Sequence, residues 1–292
     1  MRFDDGQESS NIEDRRSSGR GLPVGGRSIG VGTVVLALVA WYFGIDPSVV
    51  MQGASMLDNQ PPAVQQGQQG VQNTGNAQED QLARFVSLVL RDTEQTWQQI
   101  FAQGGKQYAD PKLVLFRDAT QTACGTGQAA MGPFYCPADS KVYLDLGFFE
   151  ELQRRFRAPG DFAQAYVIAH EVGHHVQNLL GISEQVHRAR QRMSEAEGNA
   201  LSVRQELQAD CFAGVWAHHA NAARQVLESG DVAEALAAAT AIGDDTLQRQ
   251  SQGRIVPESF THGSSEQRVR WFRRGLDGGN VEQCNTFKAA SL

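Results

Sequence analysis

The stretch VIAHEVGHHV, Val167 to Val176, decides the fold. Three histidines and a carboxylate occupy the six positions His170 to His175 of an otherwise apolar run. Burying such groups without partners costs on the order of several kcal/mol each. Apolar spacing predicts a helix from Asp161, read as its cap, to about Leu180, with Gly181 as the stop. On that helix His170 and His174 lie about 40° apart, so two imidazoles face one ion from the same side. Glu171 is turned about 100° from His170, beside the ligands rather than among them. That position suits a carboxylate taking a proton from metal-bound water. The pattern is HExxH, here HEVGH, and it predicts Zn2+. Zinc lowers the pKa of a bound water to about 7, which makes hydroxide available at neutral pH. Gly173 costs roughly 1 kcal/mol against alanine inside a helix, so another element is expected to pass close over that turn.

Two histidines do not complete a site. The extension HExxHxxGxxH is absent, because position 180 is Leu180. The segment RQELQADCFAGVWAHH, residues 204–219, instead offers Glu206 and Asp210 one helical turn apart. Two like charges so placed repel mildly unless a cation lies between them. Ala209, Cys211, Phe212, Ala213 and Val215 around them read as buried. Glu206 is therefore expected to complete a His-His-Glu set, with Asp210 accepting the outer N–H of a ligand histidine.

HEVGHH followed by ELQADCFAG resembles the neutral zinc metallopeptidases, a bacterial family of membrane-anchored proteins. HExxH followed by ExxxD is also similar to the pattern of the wider glutamate-zincins. The resemblance covers most of the chain. It implies that His170, His174 and Glu206 bind zinc, that Glu171 is the base, and that Asp210 stands behind a ligand. Later, FTHGSSEQRVRWF (residues 260–272) places His262 just before a helix that Ser264 or Ser265 caps. It resembles an S/T-H-P…R-I segment of membrane-bound glutamate-zincins, with Gly263 in place of proline. His262 is thus a candidate to stabilise the oxyanion of a tetrahedral intermediate. Tyr135 and Tyr143 are weaker candidates, and Arg268 is expected to pin the segment by pairing with a carboxylate.

The flanking chain sets the location. Residues 1–28 are polar and charged and read as a disordered cytoplasmic tail. Residues 29–45, IGVGTVVLALVAWYFGI, carry no charge and would span about 25 Å as a helix, a little under the ~30 Å hydrocarbon core. They read as an uncleaved transmembrane signal anchor. Arg15, Arg16, Arg20 and Arg27 precede it and no Lys or Arg follows until Arg84, which predicts a cytoplasmic N-terminus and a domain outside. Residues 46–78, rich in Gln, Gly, Asn and Pro, read as a flexible linker, and 79–292 as the metallopeptidase domain.

Helices are expected over about 79–102, 148–156, 198–228, 231–242 and 265–275, with strands at 113–116 and 141–146. The domain is therefore α+β: mostly helical, zincin-like, with a small sheet. Val142 to Leu146 is a candidate strand for pairing with an extended substrate. His175 sits off the metal face, and His218 and His219 lie too far along their helix to join it. Outside the cytosol the four cysteines form disulfides. Of three pairings, Cys124–Cys136 and Cys211–Cys284 is preferred, the first closing a Gly-rich loop. A net charge of −7 over 292 residues with no basic stripe argues against nucleic acid as a partner, and none is expected.

Two functions fit. One is a membrane-anchored zinc endopeptidase that hydrolyses peptide or protein substrates outside the cytoplasm, with Glu171 as general base. The other is a non-catalytic, zinc-stabilised envelope protein that binds a partner. An intact Glu171 favours the first, since a structural site needs no base and is normally closed by four protein ligands.

Overall fold

The structure, a computed structural model, describes residues 1–3, 6–17, 67–129 and 132–292. Contacts divide the chain into one unit formed by Met1–Arg16 with Gly67–Leu292 and another formed by Ser17–Gln66. The expected anchor at 29–45 and most of the expected linker lie outside the described residues. Among the described residues no helix is long and apolar enough to cross a membrane.

The first unit is α+β. Its main sheet comprises β1 (Ile12–Asp14), β2 (Gln68–Gln69), β3 (Lys112–Phe116), β6 (Phe134–Cys136) and β7 (Lys141–Asp145), in the order β2-β1-β3-β7-β6. β1, β3 and β7 run parallel, while β2 and β6 close the two edges antiparallel. A separate hairpin, β4 (Ala119–Thr122) and β5 (Gly125–Gln128), stands before β6. Cys124 in its turn bonds Cys136 at the end of β6. The run LVLF in β3 is apolar throughout because both sheet faces are covered. Leu113 and Leu115 face the main core with Val142 and Leu144. Val114 and Phe116 pack with Tyr143 and Cys136 on the other face.

The polar N-terminal segment is not a disordered tail over its described residues. Ile12 is 1% exposed and pairs in register with Leu113. Asp14 and Arg16 form a buried ion pair at 2.7 Å, and Arg16 also donates to Asp80 and to the Gln72 carbonyl. Ser9 and Asn11 donate to Glu94, and Lys141 pairs with Glu13. Composition signalled disorder because this segment is held by charge and hydrogen bonds rather than by apolar bulk.

Eight α-helices follow among the described residues: α1 (Ala77–Gln103), α2 (Gly147–Arg154), α3 (Asp161–Leu179), α4 (Ile182–Arg190), α5 (Glu195–Arg224), α6 (Asp231–Ala241), α7 (Asp244–Gln252) and α8 (Ser265–Gly278). Gly160, at φ 115°, is the cap of α3, so Asp161 is the first helical residue rather than the cap. Ser194 with Glu197, and Ser264 with Gln267, form reciprocal capping boxes on α5 and α8. The α5 box starts that helix a turn earlier than its apolar pattern does. A Cβ on Gly173 would lie 2.9 Å from the Ala209 carbonyl oxygen, so α5 crosses α3 at that glycine. This is the close approach expected there. Cys211 on α5 bonds Cys284 near the C-terminus. Both disulfides have the preferred pairing.

Candidate metal centre

The crossing of α3 over α5 brings His170, His174 and Glu206 together. One ligand atom from each lies within 4.8 Å of the others. Glu206 Oε2 is 3.1 Å from His170 Nε2 and 3.4 Å from His174 Nε2. Bonds of about 2.0–2.1 Å to a tetrahedral ion place neighbouring ligand atoms about 3.3–3.4 Å apart. Two imidazole nitrogens and a carboxylate oxygen at these spacings fit zinc, with one corner left for solvent.

Each ligand imidazole is held from behind. His170 Nδ1 lies 2.8 Å from Asp210 Oδ1, so Asp210 accepts the Nδ1 proton and Nε2 is directed at the ion. Asp210 is fully buried and receives Arg268 through Nε and Nη2, each at 2.9 Å. The Tyr166 hydroxyl also donates to Asp210 and accepts from Arg268 at 3.2 Å. The carboxylate that Arg268 was expected to find is Asp210. His174 is held by a residue the sequence reading missed. Its Nδ1 donates to Gln177 Oε1 at 2.9 Å, and the Gln177 amide donates to the Gln205 carbonyl and to Gln208. The available signal was spacing: Gln177 lies three residues after His174, on the same helix face.

Electrostatics follow from this packing. Burial penalises a charged His170, but the Asp210 carboxylate and the Glu206 bond outweigh it, and its pKa is pushed up to about 10 in the metal-free chain. His174 is raised in the same way, against burial, by Glu206. Burial pushes Glu206 up, yet His174 and His170 hold it well below the ordinary carboxylate range. Asp210 is likewise lowered, against burial, by Arg268 and His170.

The centre opens into a cleft of about 540 Å³ lined by Glu171, Phe134, Tyr135, Phe148, Phe156 and His262, among others. Glu171 is 7% exposed and borders the cleft beside the ligands. His262 lines the same cleft, its side chain half exposed, with Nδ1 3.3 Å from Asp244. The Asp244 hydrogen bond raises the His262 pKa. Tyr135 reaches the cleft, but its hydroxyl donates to His175 Nδ1 at 3.0 Å and accepts from Asn178. His175 donates through Nε2 to the Ala109 carbonyl, which fixes its tautomer and removes it from the metal face. Tyr143 is turned to the far face of the sheet, donating to Asp139. His218 and His219 bond the Leu276 and Gly279 carbonyls, away from the centre.

One expectation is corrected here. Val142 to Leu146 is not an edge strand: β7 is bonded to β3 along Lys141–Asp145 and to β6 over Lys141–Tyr143, so Val142 and Tyr143 are paired on both sides. The edge strand bordering the cleft is β6, with Phe134 and Tyr135 in the cleft wall.

A family profile described as "Putative neutral zinc metallopeptidase" matches residues 1–287. The uncharacterized protein YpfJ of Escherichia coli (strain K12) is 52% identical over 294 residues, covering 98% of this chain and 99% of that one. The uncharacterized protein Rv2575 of Mycobacterium tuberculosis (strain ATCC 25618 / H37Rv) is 46% identical over 195 residues, 63% of this chain and 65% of that one. No solved structure matches the chain. The family description implies Zn2+ as the metal, in agreement with the donor set. With 287 residues matched from the first onward, the chain belongs to the neutral zinc metallopeptidase family.

Proposed function

We propose that the chain is an endopeptidase of the glutamate-zincin type, acting on peptide or protein substrates outside the cytoplasm and attached to the membrane through residues 29–45. The observation that carries this reading is the convergence of His170, His174 and Glu206 within 4.8 Å, with Glu171 lining the same cleft. Two disulfides support an oxidising compartment.

His170, His174 and Glu206 hold the metal, and Asp210 keeps His170 in the tautomer that presents Nε2. Zinc bound there supplies the Lewis acid that polarises the peptide carbonyl and acidifies water. Glu171 takes a proton from the attacking water and passes it to the leaving amine. His262, held by Asp244, donates to the oxyanion that develops in the cleft. The free edge of β6 aligns an extended substrate by backbone pairing, and the Cys124–Cys136 bond fixes the end of that strand.

The test is digestion of a peptide library by the full chain, with and without a chelator. Cleavage that the chelator stops and zinc restores is expected. Glu171→Gln should keep zinc and cleave about 10²–10⁴-fold more slowly. Equal cleavage by that variant overturns the mechanism. A zinc-loaded wild-type chain that cleaves nothing favours the non-catalytic, partner-binding reading.

A further inference from the structure

The N-terminal residues and the metal-centre unit form one sheet. β1 lies between β2 and β3, with Glu13 opposite Gln69 and Asp14 opposite Gln68 on one side and Ile12 opposite Leu113 on the other. The chain leaves this unit after Arg16 and rejoins it at Gly67. Those two points adjoin: the Gly67 N–H donates to Glu13, and a Cβ on Gly67 would lie 3.1 Å from the Asp14 carbonyl oxygen. Whatever path residues 17–66 take, they begin and end beside each other on one body.

A single crossing of residues 29–45 is incompatible with that sheet. It would put β1 on one side of a ~30 Å hydrocarbon layer and β2 and β3 on the other. Ile12 would leave the core, and Glu94 would lose Ser9 and Asn11. The sheet would lose its second strand, leaving unpaired backbone groups on β2 and β3. Two of the four arginines that suggested a cytoplasmic N-terminus read differently too. Arg16 is buried against Asp14 and Asp80, and Arg15 pairs with Glu13 and donates to Thr120. Both are structural cations of the fold, so they do not report on a membrane face. Nor does the sequence offer a return crossing, because residues 46–66 contain Asp46, Asp58, Pro47, Pro61 and Pro62 and no second long apolar run.

We infer that residues 1–16 and the metal-centre unit occupy the same compartment, and that the apolar stretch 29–45 meets the membrane from that one side instead of carrying the chain across it. An exported domain therefore takes the N-terminus with it. This holds whether or not the centre hydrolyses peptides, so a failure of the peptidase reading leaves it untouched.

The test uses the full chain in intact spheroplasts and two variants that each add one cysteine at an exposed site, Ser10→Cys in the N-terminal segment and Arg192→Cys before α5. The four native cysteines are already bonded to each other. A membrane-impermeant maleimide is applied before and after lysis. The two sites are expected to agree, both reactive or both protected before lysis, with labelled fractions within about twofold of each other. Reaction at position 192 with position 10 protected until lysis, or the reverse, overturns the inference.

Discussion

At the scale of single residues, the centre is a set of oriented imidazoles whose outer nitrogens are all committed. His170 is fixed by Asp210 and His174 by Gln177. Removing such an outer partner typically weakens metal binding by about 10–100-fold. Gln177→Ala is expected to fall in that range, measured by competition against a chromophoric chelator; unchanged affinity would mean His174 is held by packing alone. HExxH was legible because its spacing encodes geometry directly. Glu206 was legible because an acidic pair in an apolar helix has no good explanation without a cation. Gln177 was not, since an uncharged amide near a helix end resembles many surface residues. The partners of Tyr135, His175 and Asn178, were illegible for a related reason: a phenol near a metal helix carries no sign of what its hydroxyl bonds.

At the scale of elements, the site exists because α3 and α5 cross closely, and Gly173 permits it. Gly173→Ala gains roughly 1 kcal/mol of helix propensity. Its Cβ would meet the Ala209 backbone at 2.9 Å, however, and overpacking costs about 1–3 kcal/mol. The net expectation is a lower thermal midpoint and weaker zinc retention, since separating the helices moves Glu206 from both histidines. A rise in midpoint would show that α5 yields easily. Arg268 ties α8 to the same crossing through Asp210. Arg268→Met leaves a buried carboxylate beside His170, and breaking a buried pair costs about 3–5 kcal/mol. Chemical denaturation should read this as a large drop in midpoint, and a shift under about 1 kcal/mol would contradict the role assigned to the pair. Helices with strong apolar spacing were visible in the sequence. α4 and α7, short and polar, were missed, as were β1 and β6, whose three residues each are too few to show a period. The edge assignment failed for the same reason. Alternation in KVYLDL identifies a strand, but which neighbours it has depends on β6.

At the scale of the whole molecule, folding without metal brings two imidazoles against two carboxylates, and this couples stability to pH. The folded His170 pKa is pushed up to about 10, above its ordinary 6.5. A raised pKa means the folded state binds the proton more tightly. That stabilisation is complete below about pH 6.5 and disappears as pH rises through about 10. The thermal midpoint of the metal-free chain should therefore fall over this range. Zinc takes neutral imidazoles, so its affinity should rise over the same range with proton release. A metal-free midpoint that climbs with pH would contradict the assigned charges. The polar N-terminal segment was illegible at this scale, because ion pairs such as Asp14–Arg16 lack the apolar signature by which folded segments are recognised.

The central claim is that two crossing helices grip one zinc ion through His170, His174 and Glu206. Zinc content per chain after exhaustive dialysis tests it directly, comparing the wild-type chain with Glu206→Ala. The account predicts one zinc per chain in the first and near none in the second. Equal zinc in both, or none in the wild type, would contradict it.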